Sequence, residues 1–287
     1  MLKNVVSKLL VLVLIIGVFS GCTKSSEKNE INEESKLPKE IEPLVAIAFG
    51  NQDSDTVVIY SQGGPDTEIE EGILEEIRDS NDELKDALFI HPYQVQTKNP
   101  KKFIDKEINF EDAIEYDKET VKDLYDICKF YKNQNKKVYV VGISFGAFVT
   151  TDLINTYGTD MADGFGIMVG RLNIEDEFWK AFSQGKGGGY EEGTKPVITE
   201  AEGLKDSNMY KLAAGIGHKR FMEELKDVDL SKVVYVYGKL DEQVGSLTNE
   251  EIKFLKDHKA RVIANEKGHS EASTDETASM MKMLLSK

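Results

Sequence analysis

The run KVYVVGISFGAFVTTDL, from Lys137 to Leu153, decides how the rest of the chain is read. Its first seven residues, Lys137 to Ile143, are β-branched or aromatic with almost no polar break, and they read as a buried strand. Its second half, from Phe145 onward, reads as a helix closing on Gly158. Between them Gly142-Ile143-Ser144-Phe145-Gly146 fits G-x-S-x-G. A serine on a sharp strand-to-helix turn takes a backbone with positive φ, so the residues two before and two after it must be small. The helix that follows points its free N–H groups and positive dipole at any negative charge forming on a substrate oxygen.

The same rhythm continues on both sides. Upstream, LVAIAF (Leu44–Phe49), TVVIYS (Thr56–Ser61) and ALFIHPY read as strands, with EIEEGILEEIRD as a helix. Phe110 to Asn133 reads as a long helix, because Ile114, Val121, Leu124, Cys128 and Tyr131 recur on one face. Downstream, GFGIMVG, VVYVYG (Val233–Gly238) and ARVIAN (Ala260–Asn265) read as strands, and ETASMMKMLLSK as a closing helix. Strands alternating with helices predict an α/β fold, a mainly parallel central sheet with helices on both faces. Residues 171–230 interrupt that rhythm and read as a mostly helical cap inserted over the ligand-binding edge of the sheet.

A serine hydroxyl is a weak nucleophile and needs a base. His269, in EKGHSE, sits in a loop after the last strand and before the final helix. His91 precedes a proline, His218 lies in the insertion and His258 in a charged run, so these three read as structural or surface histidines. The base needs a carboxylate on its far nitrogen. Asp241, just past VVYVYG in YGKLDEQVG, is the first choice; Glu242 beside it, Asp176 and Glu175 are rivals. The order Ser144, Asp241, His269 is the order of nucleophile, acid and base in α/β-hydrolases. Two donors are needed for an oxyanion. One is the N–H of Phe145; the other falls in the loop Gln62-Gly63-Gly64-Pro65-Asp66, from Gly63 or Gly64.

Together GISFGA, YGKLDEQVG and EKGHSE resemble the capped branch of the α/β-hydrolase superfamily over residues 44–287. QGGPD also resembles the HGGPG loop of proline iminopeptidase-like hydrolases, with Gln62 in place of His and Asp66 in place of Gly. The resemblance implies an eight-strand-type sheet, no cofactor and a triad of Ser144, Asp241 and His269. The first reading of function is a serine hydrolase acting on a small-molecule acyl substrate, attacked by Ser144 and released through an acyl-enzyme, with activity falling as His269 protonates. A peptidase of the iminopeptidase type would need a cap carboxylate for a free amine, and Glu191, Glu192, Glu200 and Glu202 are available. A hydrolase-fold protein that binds without turnover is the third reading. Phe178, Trp179 and Phe182 fit either an apolar acyl pocket or the core of the cap.

Composition narrows the partners. The chain has 287 residues, 40% hydrophobic and 30% charged, with a net charge of -15. Such an acidic surface repels phosphate backbones and disfavours nucleic acid. The four histidines and two cysteines show no metal-ligand spacing, so no metal is expected. Cys128 reads as a small core residue. Lys3 and Lys8, the apolar run from Leu9 to Phe19, then Ser20 and Gly21 make a signal-peptide pattern over residues 1–21. The run FSGC resembles a bacterial lipobox, whose acylated Cys22 would hold the protein on the outer face of a membrane. Residues 22–43 are polar and read as a tether ahead of the domain at 44–287. Oligomeric state is not legible.

Overall fold

The structure is a computed structural model and describes residues 37–286. The signal and lipidation readings at residues 1–21 and Cys22 lie outside the described residues, as does most of the tether. The tether's last residues belong to the fold. Ile41 is 1% exposed in the main core and Leu37 packs against it, followed by a 3₁₀ turn at Glu42–Leu44.

Seven strands form the main sheet: β1 (Val45–Gly50), β2 (Thr56–Ser61), β3 (Leu88–Pro92), β4 (Lys137–Ile143), β5 (Gly164–Met168), β8 (Val233–Gly238) and β9 (Arg261–Asn265). Their spatial order is β1-β3-β2-β4-β5-β8-β9. Only β1 runs antiparallel, with a register shift between Val45 and Ile47; every other pair is parallel. The resemblance implied eight strands, and the described residues supply seven to this sheet.

The inner strands are mostly apolar because both of their faces are covered. Successive residues alternate between two cores. Val57, Ile59, Val138 and Val140 pack with Val121, Leu124 and Ile127 of α4 (Phe110–Lys132) and with Val149 and Leu153 of α5 (Phe145–Tyr157). Val58, Tyr60, Val141 and Val236 pack on the other face. There they meet Leu74 and Ile77 of α1 (Ile73–Asp79), and Met280, Met281 and Leu284 of α10 (His269–Leu285). Two short helices, α2 (Val95–Lys98) and α3 (Pro100–Ile104), follow β3, and α9 (Asn249–Asp257) lies between β8 and β9. Cys128 is wholly buried on α4, and burial pushes its thiol far up from the usual range, as expected of a core residue.

Between β5 and β8 the chain forms α6 (Asp176–Ser183), α7 (Leu204–Gly217) and α8 (Phe221–Glu224), and also a β-hairpin. Its strands are β6 (Gly187–Glu191) and β7 (Lys195–Thr199). The glycine run was expected within a mostly helical insertion; it is a strand because glycines let β6 lie close to its neighbours. A methyl on Gly189 would stand 2.6 Å from the Glu242 carbonyl oxygen. Asn208, fully buried on α7, fastens this insertion to the α3–α4 connection. Its Oδ1 accepts from the Ile108 N–H, and its Nδ2 donates to the carbonyls of Phe103 and Lys106.

Candidate active site

Ser144 follows the last residue of β4 at φ 55° and ψ −117°, a conformation few non-glycine residues adopt. Its N–H bonds the Met168 carbonyl at 3.0 Å, which ties the turn to the end of β5. A methyl on Gly142 would overlap the Gly146 carbonyl, and one on Gly146 would overlap the Ser61 carbonyl at the end of β2. The two glycines therefore let the turn fold tightly and let the β2 loop lie against it. Phe145 is the first residue of α5, where a backbone N–H has no acceptor within the helix.

The β2 loop carries Gly63 and Gly64. Gly63 lies beside the serine: a Cβ on it would stand 3.5 Å from the Ser144 Cβ. Gln62, in place of the histidine of the HGGPG pattern, is 2% exposed and holds the loop in shape. Its amide donates to the Glu68 carbonyl and accepts from the Glu70 N–H, while its own carbonyl accepts from Gln94. Asp66 accepts from the N–H groups of Thr67 and Glu68 and from Lys205 of α7 at 2.9 Å. Burial pushes its carboxyl upward, but Lys205 and these N–H groups together hold it below the usual range. Beneath the loop, the Tyr60 hydroxyl donates to Glu70.

Asp241 and His269 meet. His269 Nδ1 lies 2.7 Å from Asp241 Oδ2, with Asp241 at 1% and His269 at 5% exposure. The other carboxylate oxygen, Oδ1, accepts from the N–H groups of Gln243 and Val244 at 2.9 Å each. With Nδ1–H engaged by a carboxylate, Nε2 is the nitrogen left to act as a base. His269 is not in a loop before the last helix; it is that helix's first residue, with Gly268 at the N-cap. The helix starts earlier than its apolar pattern because its first two turns are polar and bury little besides His269 and Ala272.

The rival carboxylates do other work. Glu242 accepts the backbone N–H of His269, not its ring. Glu175 accepts from Arg171 and from the Tyr190 hydroxyl. Asp176 lies on the surface with Lys180 and Arg220. A buried pair, Arg171 and Glu251, joins the start of the insertion to α9: Glu251 also accepts the N–H groups of Leu172 and Asn173. Sequence reasoning missed this pair; the Thr248–Glu251 capping box was its only visible signal.

The parallel strands end level with one another. Ile143 pairs with Met168, Met168 with Val236, and Gly238 with Asn265. Ser144, Asp241 and His269 all follow such ends, on one rim of the sheet. Among the described residues the Ser144 hydroxyl makes no hydrogen bond to His269; the Asp241–His269 bond is formed. Serine–histidine hydrogen bonds without substrate are often long. Of the aromatic trio, Phe178 is 2% exposed and packs on Phe182 and Tyr190 as cap core, while Trp179 stacks on Phe110. Of the acids weighed for an amine, Glu191 pairs with Lys195 and Glu200 with Lys186.

No protein-family model matches the sequence, and no curated protein sequence matches it. Solved structures do resemble it. MGS-M2, an α/β hydrolase enzyme from a Medee basin deep-sea metagenome library, superposes with a TM-score of 0.58 at 12% identity, covering 84% of this chain and 94% of that one. The esterase EaEST from Exiguobacterium antarcticum gives 0.53 at 11%, covering 84% and 93%. A lipase-esterase related protein from Clostridium acetobutylicum gives 0.52 at 12%, covering 83% and 98%. At such identities the likeness is one of fold, and the fold is the α/β-hydrolase fold.

Proposed function

We propose that the protein is a serine hydrolase that cleaves an ester or similar acyl compound, with Ser144 as nucleophile, His269 as base and Asp241 as orienting acid. The observation that carries this is the Asp241–His269 hydrogen bond, which leaves Nε2 free on the rim where Ser144 is held in a strained turn. Ser144 Oγ attacks the carbonyl while Nε2 takes its proton. The same nitrogen returns that proton to the leaving group, and water, deprotonated in turn by Nε2, cleaves the acyl-enzyme. Phe145 N–H supplies one oxyanion donor. The second comes from Gly63 or Gly64 in the β2 loop, which lies beside the serine. The esterase named among the similar structures is consistent with this chemistry.

A fluorophosphonate probe tests it. Wild type is expected to label and Ser144→Ala not, and Asp241→Asn should lower aryl-ester kcat by about 10³-fold or more, because the imidazole is left in the wrong tautomer. Wild-type protein that neither labels nor turns over any ester, thioester or amide would overturn the reading and favour binding without turnover. The sequence pattern ending at Cys22 further supports a lipid anchor outside a bacterial membrane. Loss of fatty-acid labelling in Cys22→Ala tests that separately.

A further inference from the structure

Glu242 is the neighbour of the orienting acid, and its two polar ends face two different elements. Its carboxylate Oε2 accepts the backbone N–H of His269 at 3.1 Å. Its carbonyl oxygen accepts the backbone N–H of Tyr190, on β6, at 2.7 Å. Both bonds have local reasons. His269 opens α10, so its N–H is one of the four that the helix cannot use, and the N-cap residue is Gly268, which has no side chain to offer. A carboxylate from another loop fills that role, at the helix end where negative charge is favoured. On the hairpin, Tyr190 stands opposite Pro196, which has no N–H to give. A non-hydrogen-bonded pair suits proline there, and it turns the Tyr190 N–H outward, toward Glu242. A second bond, from the Ser246 N–H to the Gly193 carbonyl, seats the same hairpin on the same loop.

We propose that Glu242 is a positioning residue that couples the seating of the cap hairpin to the placement of the His269 imidazole; this rests on the triad reading above. A hairpin displaced at β6 pulls on the Glu242 backbone. The carboxylate of the same residue fixes the first turn of the helix that carries the base. The cap then acts on the base as well as on substrate entry, and shape at the cap is read out in the chemical step.

Three variants of the full chain test the coupling. Glu242→Ala removes the carboxylate, Glu242→Gln keeps an acceptor, and Gly189→Ala puts a methyl 2.6 Å from the Glu242 carbonyl and lifts the hairpin. Tyr190→Phe, which removes the hairpin's hydroxyl bond to Glu175, is a milder second way to loosen it if Gly189→Ala does not fold. Amide hydrogen exchange at His269 is expected to quicken about ten-fold or more in Glu242→Ala and in the hairpin variant, and to stay near wild type in Glu242→Gln. On an aryl ester, Glu242→Ala and the hairpin variant should each lower kcat about ten-fold with KM within about two-fold, Glu242→Gln should recover most of the loss, and the double variant should be no worse than Glu242→Ala alone. A hairpin variant that raises KM alone, an additive double variant, or unchanged His269 exchange in Glu242→Ala overturns the coupling. If wild type fails to label or turn over, the hydrolase reading falls, and His269 exchange in the hairpin variant still decides whether cap and base are joined.

Discussion

Replacing His91 with phenylalanine should make the fold markedly less sensitive to acid. His91 lies on β3 with no exposed surface, its ring 5.1 Å from that of Tyr60, and neither ring nitrogen has a hydrogen-bond partner among the described residues. Burial pushes its pKa down from 6.5 to about 4. In the unfolded chain the imidazole takes a proton as pH falls below its ordinary value, while in the fold it resists until about pH 4. A depressed value of this kind means that stability is intact above the unfolded pKa and is lost as pH falls toward the folded one. Linkage between those two values puts the loss at about 2.5 kcal/mol by about pH 4.5, relative to about pH 7.5. For a domain of this size that corresponds to a fall of about 5–10 °C in Tm. Phenylalanine keeps the ring and carries no proton site. Urea unfolding of wild type and His91→Phe at both pH values measures the effect as the change, between them, in the stability difference of the two proteins. If that difference is the same at both, the buried imidazole is not held neutral, and the argument from its missing partners fails.

Two further outcomes follow from packing and charge. Gly146→Ala places a methyl against the Ser61 carbonyl, a backbone group that cannot swing aside, and should destabilise by about 3 kcal/mol or more in urea unfolding while abolishing any fluorophosphonate labelling. Asp117, 3% exposed between α4 and the cap helix α7, has its carboxyl pushed well above the usual range by burial, with Asp152 adding to it. Since the unfolded chain ionises there first, wild-type stability declines as pH rises above the ordinary carboxylate range; Asp117→Asn should therefore gain on wild type with rising pH in thermal unfolding, and a constant difference would refute it.

The sheet was legible because buried parallel strands are apolar on both faces, which makes them continuous runs. β2 and β4 fall where TVVIYS and KVYVVGI lie, and the strand-to-helix turn between β4 and α5 was marked by its small residues. The hairpin was not legible. Gly187, Gly188, Gly189 and Pro196 have poor strand propensity, and β6 owes its place to contacts with the Asp241 loop, which no local pattern encodes. Adjacent carboxylates at 241 and 242 could not be told apart by type either. Position separates them: one reaches the imidazole and the other the backbone of the same residue. The start of α10 was hidden because its first turns are exposed and polar, so periodicity begins only where burial does.

The two outer strands of the sheet differ in kind from the rest. Both are only partly buried, and β1 breaks its ladder between Val45 and Ile47. An irregular ladder at the β1 margin gives a second molecule little to zip onto there. At high local concentration, copies of this chain are thereby discouraged from joining margin to margin into continuous fibrous ladders.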